Sequence, residues 1–122
     1  MPLPTVRPNN EVTVNVSTAN SSATGDVYVA APCKGYIKRF QSALQGTAVT
    51  VGNNTFTGFV GATAVTHDVF SQLTAGSAAG QVSTAICSST NWVEEGQTIR
   101  IHIVGGGGAA SPTVFNVVIE SH

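Results

Sequence analysis

Thr98-Ile99-Arg100-Ile101-His102-Ile103-Val104 is the stretch from which the rest of this chain is read. Isoleucine recurs at every second position, and Thr98, Arg100 and His102 fill the alternate ones. Successive side chains of a strand point to opposite sides, so this period of two puts the isoleucines on one buried face. The same period appears in Glu11–Ser17, where Val12, Val14 and Val16 oppose Thr13, Asn15 and Ser17. It appears again in Gln81–Cys87, where Val82, Thr84 and Ile86 oppose Ser83, Ala85 and Cys87. Asp26–Ala31 reads as a further strand, stopped by Pro32.

Outward from these, Tyr36–Gln45 has Ile37, Phe40 and Leu44 at helical spacing. Its aromatic content and the glycines at both ends favour a strand. Ala48–Val51 and Thr55–Val60, separated by Gly52-Asn53-Asn54, predict a hairpin. Ala62–Leu73 is β-rich through Val65, Val69 and Phe70, and Thr74–Gly80 is a loop. Trp92-Val93 leads into the turn Glu94–Gln97, Gly105–Ser111 is a flexible connection, and Pro112 opens a last strand over Thr113–Glu120. About eight evenly spaced strands without a helix predict an all-β fold, an antiparallel jelly-roll-like β-sandwich. A closed eight-stranded barrel is the alternative. The expected organisation is an extended N-terminal arm over residues 1–10 and a single sandwich domain over 11–122. Pro2, Pro4 and Pro8 fix φ and remove backbone donors, which keeps the arm extended.

Charge is scarce. Only 9% of the 122 residues are Asp, Glu, Lys or Arg, against about a quarter in an ordinary soluble domain. The formal net charge is −1, whereas a free monomer usually relies on surface charge to stay dispersed. A bland Thr/Ser/Ala/Val surface suits a chain packed against other subunits. Five Lys and Arg among 122 residues give no basic patch for nucleic acid, and Lys34, Lys38 and Arg39 read as a solvated edge. No stretch has the length of a membrane span or the form of a signal peptide. The expectation is a chain made and used without export, in which the sequons at Asn15, Asn20 and Asn53 carry no sugar and Cys33 and Cys87 stay reduced.

Chemistry-bearing constellations are thin. The Gly105–Gly108 run follows a strand but leads to Ala109-Ala110-Ser111-Pro112, not to the helix that a phosphate loop needs. His67, Asp68 and Ser71 are triad residue types, but neighbours on a strand face opposite ways. Glu94-Glu95 occupies a turn, His102 has no partners at ligand spacing, and Trp92, the one tryptophan, reads as a plug at the core edge rather than a sugar platform. No catalytic residue, cofactor or metal site is predicted.

Several segments together resemble a known family. Val27-Tyr28-Val29-Ala30-Ala31-Pro32-Cys33-Lys34-Gly35-Tyr36-Ile37-Lys38-Arg39, the small-residue loop Gly76–Gly80, Val93-Glu94-Glu95-Gly96-Gln97-Thr98-Ile99-Arg100-Ile101, and the closing Thr113–Glu120 strand are similar to the small decoration (cement) proteins of tailed bacteriophages. The resemblance covers Glu11 to Glu120, with Gln97 where the family usually has Asp. It implies a virion protein on the outer capsid surface that clamps neighbouring major capsid proteins. A homo-oligomer, a trimer by preference, is expected, because Val114 and Val118 are apolar on the face opposite Phe115, Val117 and Ile119. Pro2, Leu3, Pro4, Val6, Arg7 and Pro8 are expected to contact the capsid, and neither nucleic acid nor membrane is an expected partner. Two other functions fit an all-β chain. One is a receptor- or carbohydrate-binding module of a tail or fibre; the other is a cupin-like enzyme, disfavoured by three scattered histidines.

Overall fold

The isoleucine stripe is buried as its period requires: Ile99, Ile101 and Ile103 are at most 2% exposed. The computed structural model describes residues 10–46, 48–74 and 77–122. Among these residues there are eleven strands and no helix. They are β1 (Glu11–Thr18), β2 (Gly25–Ala30), β3 (Gly35–Leu44), β4 (Asn54–Val60), β5 (Thr63–Ala64), β6 (Thr66–His67), β7 (Ser71–Gln72), β8 (Val82–Ser89), β9 (Trp92–Val93), β10 (Thr98–Val104) and β11 (Thr113–Ser121).

Two antiparallel sheets form a sandwich. One runs β1-β11-β3-β8-β6 with β9 also on β3; the other runs β2-β10-β4-β5 with β7 also on β4. The pairings β1/β11, β2/β10, β3/β8 and β4/β5 are nested from the chain ends inward and fall alternately in the two sheets. That is a long hairpin rolled on itself, the jelly-roll arrangement. No ladder among the described residues joins the sheets, so the closed barrel does not form.

The core lies between the sheets. Phe56 meets Phe70 and Phe115 edge-on at centroid distances of 4.9 Å each, the geometry that sets the positive edge of one ring against the negative face of another. Phe40 is wholly buried, and small residues make room for it. Its ring occupies the space that a Cβ on Gly58 would take, and its register partner on β8 is Ala85. The helical spacing of Ile37 and Phe40 is explained by a bulge. On β11, Val118 and Ile119 are consecutive, whereas their partners Arg39 and Ile37 are separated by Lys38. The extra residue turns both Lys38 and Arg39 outward and returns Phe40 to the core.

One end of the sandwich is closed by a buried polar knot. Ser21, Ser22, Asn54, Gln72, Ser111 and Thr113 are at most 4% exposed. Ser21 Oγ donates to Gln72 Oε1 at 2.6 Å, Asn54 Nδ2 donates to the same oxygen at 3.0 Å, and Gln72 Nε2 donates to Thr113 Oγ1 at 2.8 Å. These bonds tie both sheets to the β1–β2 loop, and a buried polar group without partners would be costly. The glycine run closes over the knot. Gly106 N–H donates to Asn54 Oδ1 at 2.8 Å and Gly107 N–H to Ser22 O at 2.9 Å. Added Cβ atoms at Gly105 and Gly106 would overlap the backbones of Ser22 and Gly52. Close backbone packing is the reason for glycine here.

Two expectations are corrected. Ala48–Val51 forms no strand. The Val49 N–H donates to Ser77 Oγ at 2.9 Å, and Thr50 Oγ1 accepts from Ala109 N–H at 3.0 Å. Loop contacts therefore take up the groups a hairpin would use, and β4 pairs with β5 and β7 instead. The β-rich run Ala62–Leu73 divides into three two-residue strands; it buries Val65 and Phe70 and leaves Val69 85% exposed.

Ile101→Ala removes side-chain volume from a site that is 1% exposed and is expected to cost about 2–5 kcal/mol in denaturant unfolding. Arg100→Ala, on the outer side, is expected to cost about 1 kcal/mol or less. Equal losses would place the register of β10 in error. Gly106→Ala is expected to lose about 1–3 kcal/mol through overpacking, measured the same way; full stability would mean that the close approach to Gly52 relaxes freely.

Candidate interaction surfaces

Each sheet has an outer face, and the two differ in kind. On the first sheet, charge is confined to one end, where Arg39 pairs with Glu11 at 3.4 Å and Lys38 with Glu120 at 3.6 Å. Beyond that end the outward residues of β1, β11, β3 and β8 include Asn15, Asn116, Gln41, Ala43 and Thr84, all uncharged. Val82, in this uncharged part, and Ile86, opposite Arg39 at its border, stand on this face 59% and 52% exposed, because β8 turns Ala85 and Cys87 toward the core. Alternation reveals the two sides of a strand but not which is buried; the residues beside Phe40 decide it.

The predicted interface residues sit on the same face. Val114 is half-buried, while Val118 is 2% exposed within a single chain. The Arg39–Glu11 pair reaches from β3 to β1 across β11, next to Val118. Val118 therefore offers little area to a second subunit, and Val82 and Ile86 offer far more. The predicted capsid-contact residues Pro2, Leu3, Pro4, Val6, Arg7 and Pro8 lie outside the described residues.

The second sheet carries a linked group of charged and aromatic side chains on its outer face. Asp26 Oδ1 lies 2.8 Å from His102 Nδ1 and 3.6 Å from Arg100 Nη1, and the Arg100 guanidinium lies 4.1 Å above the Phe59 ring centroid. Tyr28, directly opposite Arg100 in the ladder, is 58% exposed.

The triad residue types do not assemble. Gly58 N–H donates to His67 Nε2 at 3.0 Å. Since a backbone N–H can only donate, Nδ1 carries the imidazole proton and gives it to the Asp68 carbonyl at 2.7 Å. The Asp68 carboxylate instead accepts from Ile86 N–H at 3.4 Å. Among the described residues no three His, Cys, Asp or Glu side chains are grouped to hold a metal ion. No helix there is long and apolar enough to cross a membrane. Cys33 and Cys87 are both free thiols.

Trp92 is not a core plug. Its neighbour Val93 fills the core position at 0% exposure, and Trp92 remains 38% exposed. It packs edge-on against Tyr36 at 4.9 Å, with His122 5.9 Å away, and its Nε1 donates to Glu94 Oε1 at 3.0 Å. Beside it opens a cleft of about 370 Å³.

No protein-family model matches the chain, and no curated protein does. Among solved structures, it is similar to a chain of Desmodium yellow mottle tymovirus, with 8% identity over 99% of this chain and 93% of that one, at a TM-score of 0.40. It is also similar to PirA, with 11% identity over 93% of this chain and 97% of that one, at a TM-score of 0.38. Both likenesses are distant. The jelly-roll assignment stands on the nested strand pairing.

Burial, with a smaller contribution from the nearby Asp68 carboxylate, pushes the Cys87 thiol up from 9.0 to about 12. The folded state then holds its proton where an unfolded thiol has lost it. This contribution to stability is complete below pH 9 and is lost as pH rises from 9 toward 12. Cys87→Ala is expected to flatten the alkaline limb of a denaturation-versus-pH profile. Iodoacetamide at pH 8.5 is expected to modify Cys87 far more slowly in folded than in unfolded protein; equal rates would contradict its placement.

Proposed function

We propose that the chain is a structural virion protein that decorates the outer surface of a bacteriophage capsid and stabilises it by bridging major capsid proteins. The observation that carries the reading is the outer face of the first sheet. Beyond the Arg39 row it is uncharged and Val82 is 59% exposed there, while Ile86, 52% exposed, stands at the border, opposite Arg39 in the ladder. Burying the uncharged part against a partner incurs little charge desolvation, while each apolar side chain covered contributes about 25 cal/mol per Å². The charge deficit of the whole chain and the resemblance of its segments to phage decoration proteins support the same reading.

The stabilising action is mass action. A protein that binds only the assembled lattice stabilises it by RT ln(1 + [L]/Kd), and contacts bridging neighbouring capsomers resist the outward pressure of a packaged genome. A homo-oligomer, a trimer by preference, suits such a role, since capsid lattices offer three-fold positions. The N-terminal arm, with Leu3, Val6 and Arg7 among its three prolines, supplies a second contact to the shell in this reading. Proline fixes φ, which lowers the entropy cost of ordering such a segment on a partner.

Purified virions are expected to contain the chain in a fixed simple ratio to the major capsid protein; absence from virions would end the proposal. The double substitution Val82→Lys, Ile86→Lys places charge on an exposed face. It is expected to leave the circular dichroism spectrum unchanged while weakening binding to undecorated heads by at least about tenfold. Unchanged binding would move the contact elsewhere.

A further inference from the structure

We propose that the cleft beside Trp92 is a saccharide-binding site. It lies at the end of the sandwich opposite the polar knot and is lined by Val60, Thr63, Thr90, Trp92, Glu94 and Gln97. At about 370 Å³ it falls in the lower range of small-molecule sites, roughly 300–1,000 Å³. Trp92 and Thr90 come from the side of the first sheet, Val60 and Thr63 from the β4–β5 turn of the second.

The indole is held in place as a platform. Tyr36 braces it edge-on at an interplanar angle of 76°, and the bond from Nε1 to Glu94 sets its rotation. The polar groups around it are suited to hydroxyls. Glu94 uses Oε1 on the indole and keeps Oε2 as an acceptor. Gln97 uses Oε1 to accept from Glu94 N–H at 3.1 Å, which leaves Nε2 as a donor. Thr63 and Thr90 also line the cleft. An aromatic side chain in a lining that also holds a carboxylate, an amide and two threonines matches a pyranose, with its C–H face and rim of hydroxyls.

An independent observation points to the same place. Thr90 is the one non-glycine residue with positive φ, 56°, among the described residues. A β-branched side chain is strongly disfavoured in that region, and strain of this kind concentrates at ligand sites. Glycine or asparagine would relax the turn, yet a threonine stands there, in the lining of the cleft.

Other ligand classes fit less well. Among the described residues no cation lines the cleft, and Glu94 repels anions, so phosphates and acids are disfavoured. A quaternary ammonium group calls for several aromatic faces, and Trp92 is the only aromatic residue in the lining. The cleft lies at the end of the sandwich, with Trp92 on the same sheet as the face assigned to the capsid, but is lined by neither Val82 nor Ile86, so the two assignments are tested by different variants.

Trp92 is the single tryptophan of the chain, so intrinsic fluorescence reads this cleft. The probes are the methyl glycosides of glucose, galactose, mannose and N-acetylglucosamine and their disaccharides. At least one is expected to give a saturable change at millimolar concentration. Ligand-observed NMR is expected to find binding weakened about tenfold or more by Trp92→Ala, with an unchanged dichroism spectrum. Glu94→Gln, which keeps an acceptor for the indole, serves as the second variant and is expected to weaken binding in a fully folded protein. Thr90→Asn is expected to raise the melting midpoint by a few degrees while weakening binding. The proposal is overturned if no probe gives a saturable signal, if all three variants bind as the parent does, or if the fluorescence shifts with protein concentration alone. That last result would assign the cleft to a second copy of the chain.

Discussion

Phe40 has no exposed surface, and its ring fills the space in front of Gly58 on the opposite sheet. Much of the molecule follows from that fit. A large ring between two sheets needs small neighbours, and Ala85 is its register partner on β8. Once β8 points Ala85 and Cys87 inward, strand alternation leaves Val82, Thr84 and Ile86 no direction but outward. The bulge at Lys38 belongs to the same arrangement, because without it Phe40 would share the outer parity of Lys38. The packing of one aromatic ring in the core thus determines the character of an exterior face 59% and 52% open at its two largest aliphatic side chains.

The two ends of the sandwich are specialised in opposite ways. At one, six buried polar side chains, each with a hydrogen-bond partner, join β4, β7 and β11 to the loop after β1, and Gly105 and Gly106 let the backbones close over them. Such a network fixes geometry more than it adds stability, since a satisfied buried hydrogen bond is worth only about 1 kcal/mol while a broken one costs more. At the other end Trp92 lies beside an open cleft whose other lining residues, Val60 apart, are exposed and polar. A rigid closed end and an open aromatic end let one small β-fold present distinct surfaces without a change of shape.

How much of this was legible in the sequence depends on the element. The Thr98–Val104 strand was fully legible, because a period of two with isoleucine on one side has a single reading. Tyr36–Gln45 was harder, since a bulge makes Ile37 and Phe40 look helical in spacing. The Ala48–Val51 hairpin failed because the partners that capture its polar groups, Ser77 and Ala109, are remote in sequence. Val82 and Ile86 were seen to alternate with Ala85 and Cys87. Hydrophobicity alone would bury the larger pair, and only the volume of Phe40 across the ladder reverses that. The charge deficit was visible at once, but composition carries no position, so where the uncharged area lies emerges only from strand register. Trp92 was read as a plug because Val93, the residue that does fill the core, is adjacent and opposite in parity.

The central claim is that the outer face of the first sheet is the surface covered in the assembled particle. Hydroxyl-radical footprinting of free chain and of chain bound to phage heads tests it directly, because oxidation reports the exposure of individual side chains. The account predicts that Val82 and Ile86 are oxidised readily in the free protein and are protected on the head, while Tyr28 on the other sheet is oxidised equally in both. Protection of Tyr28 with Val82 and Ile86 unchanged would contradict it.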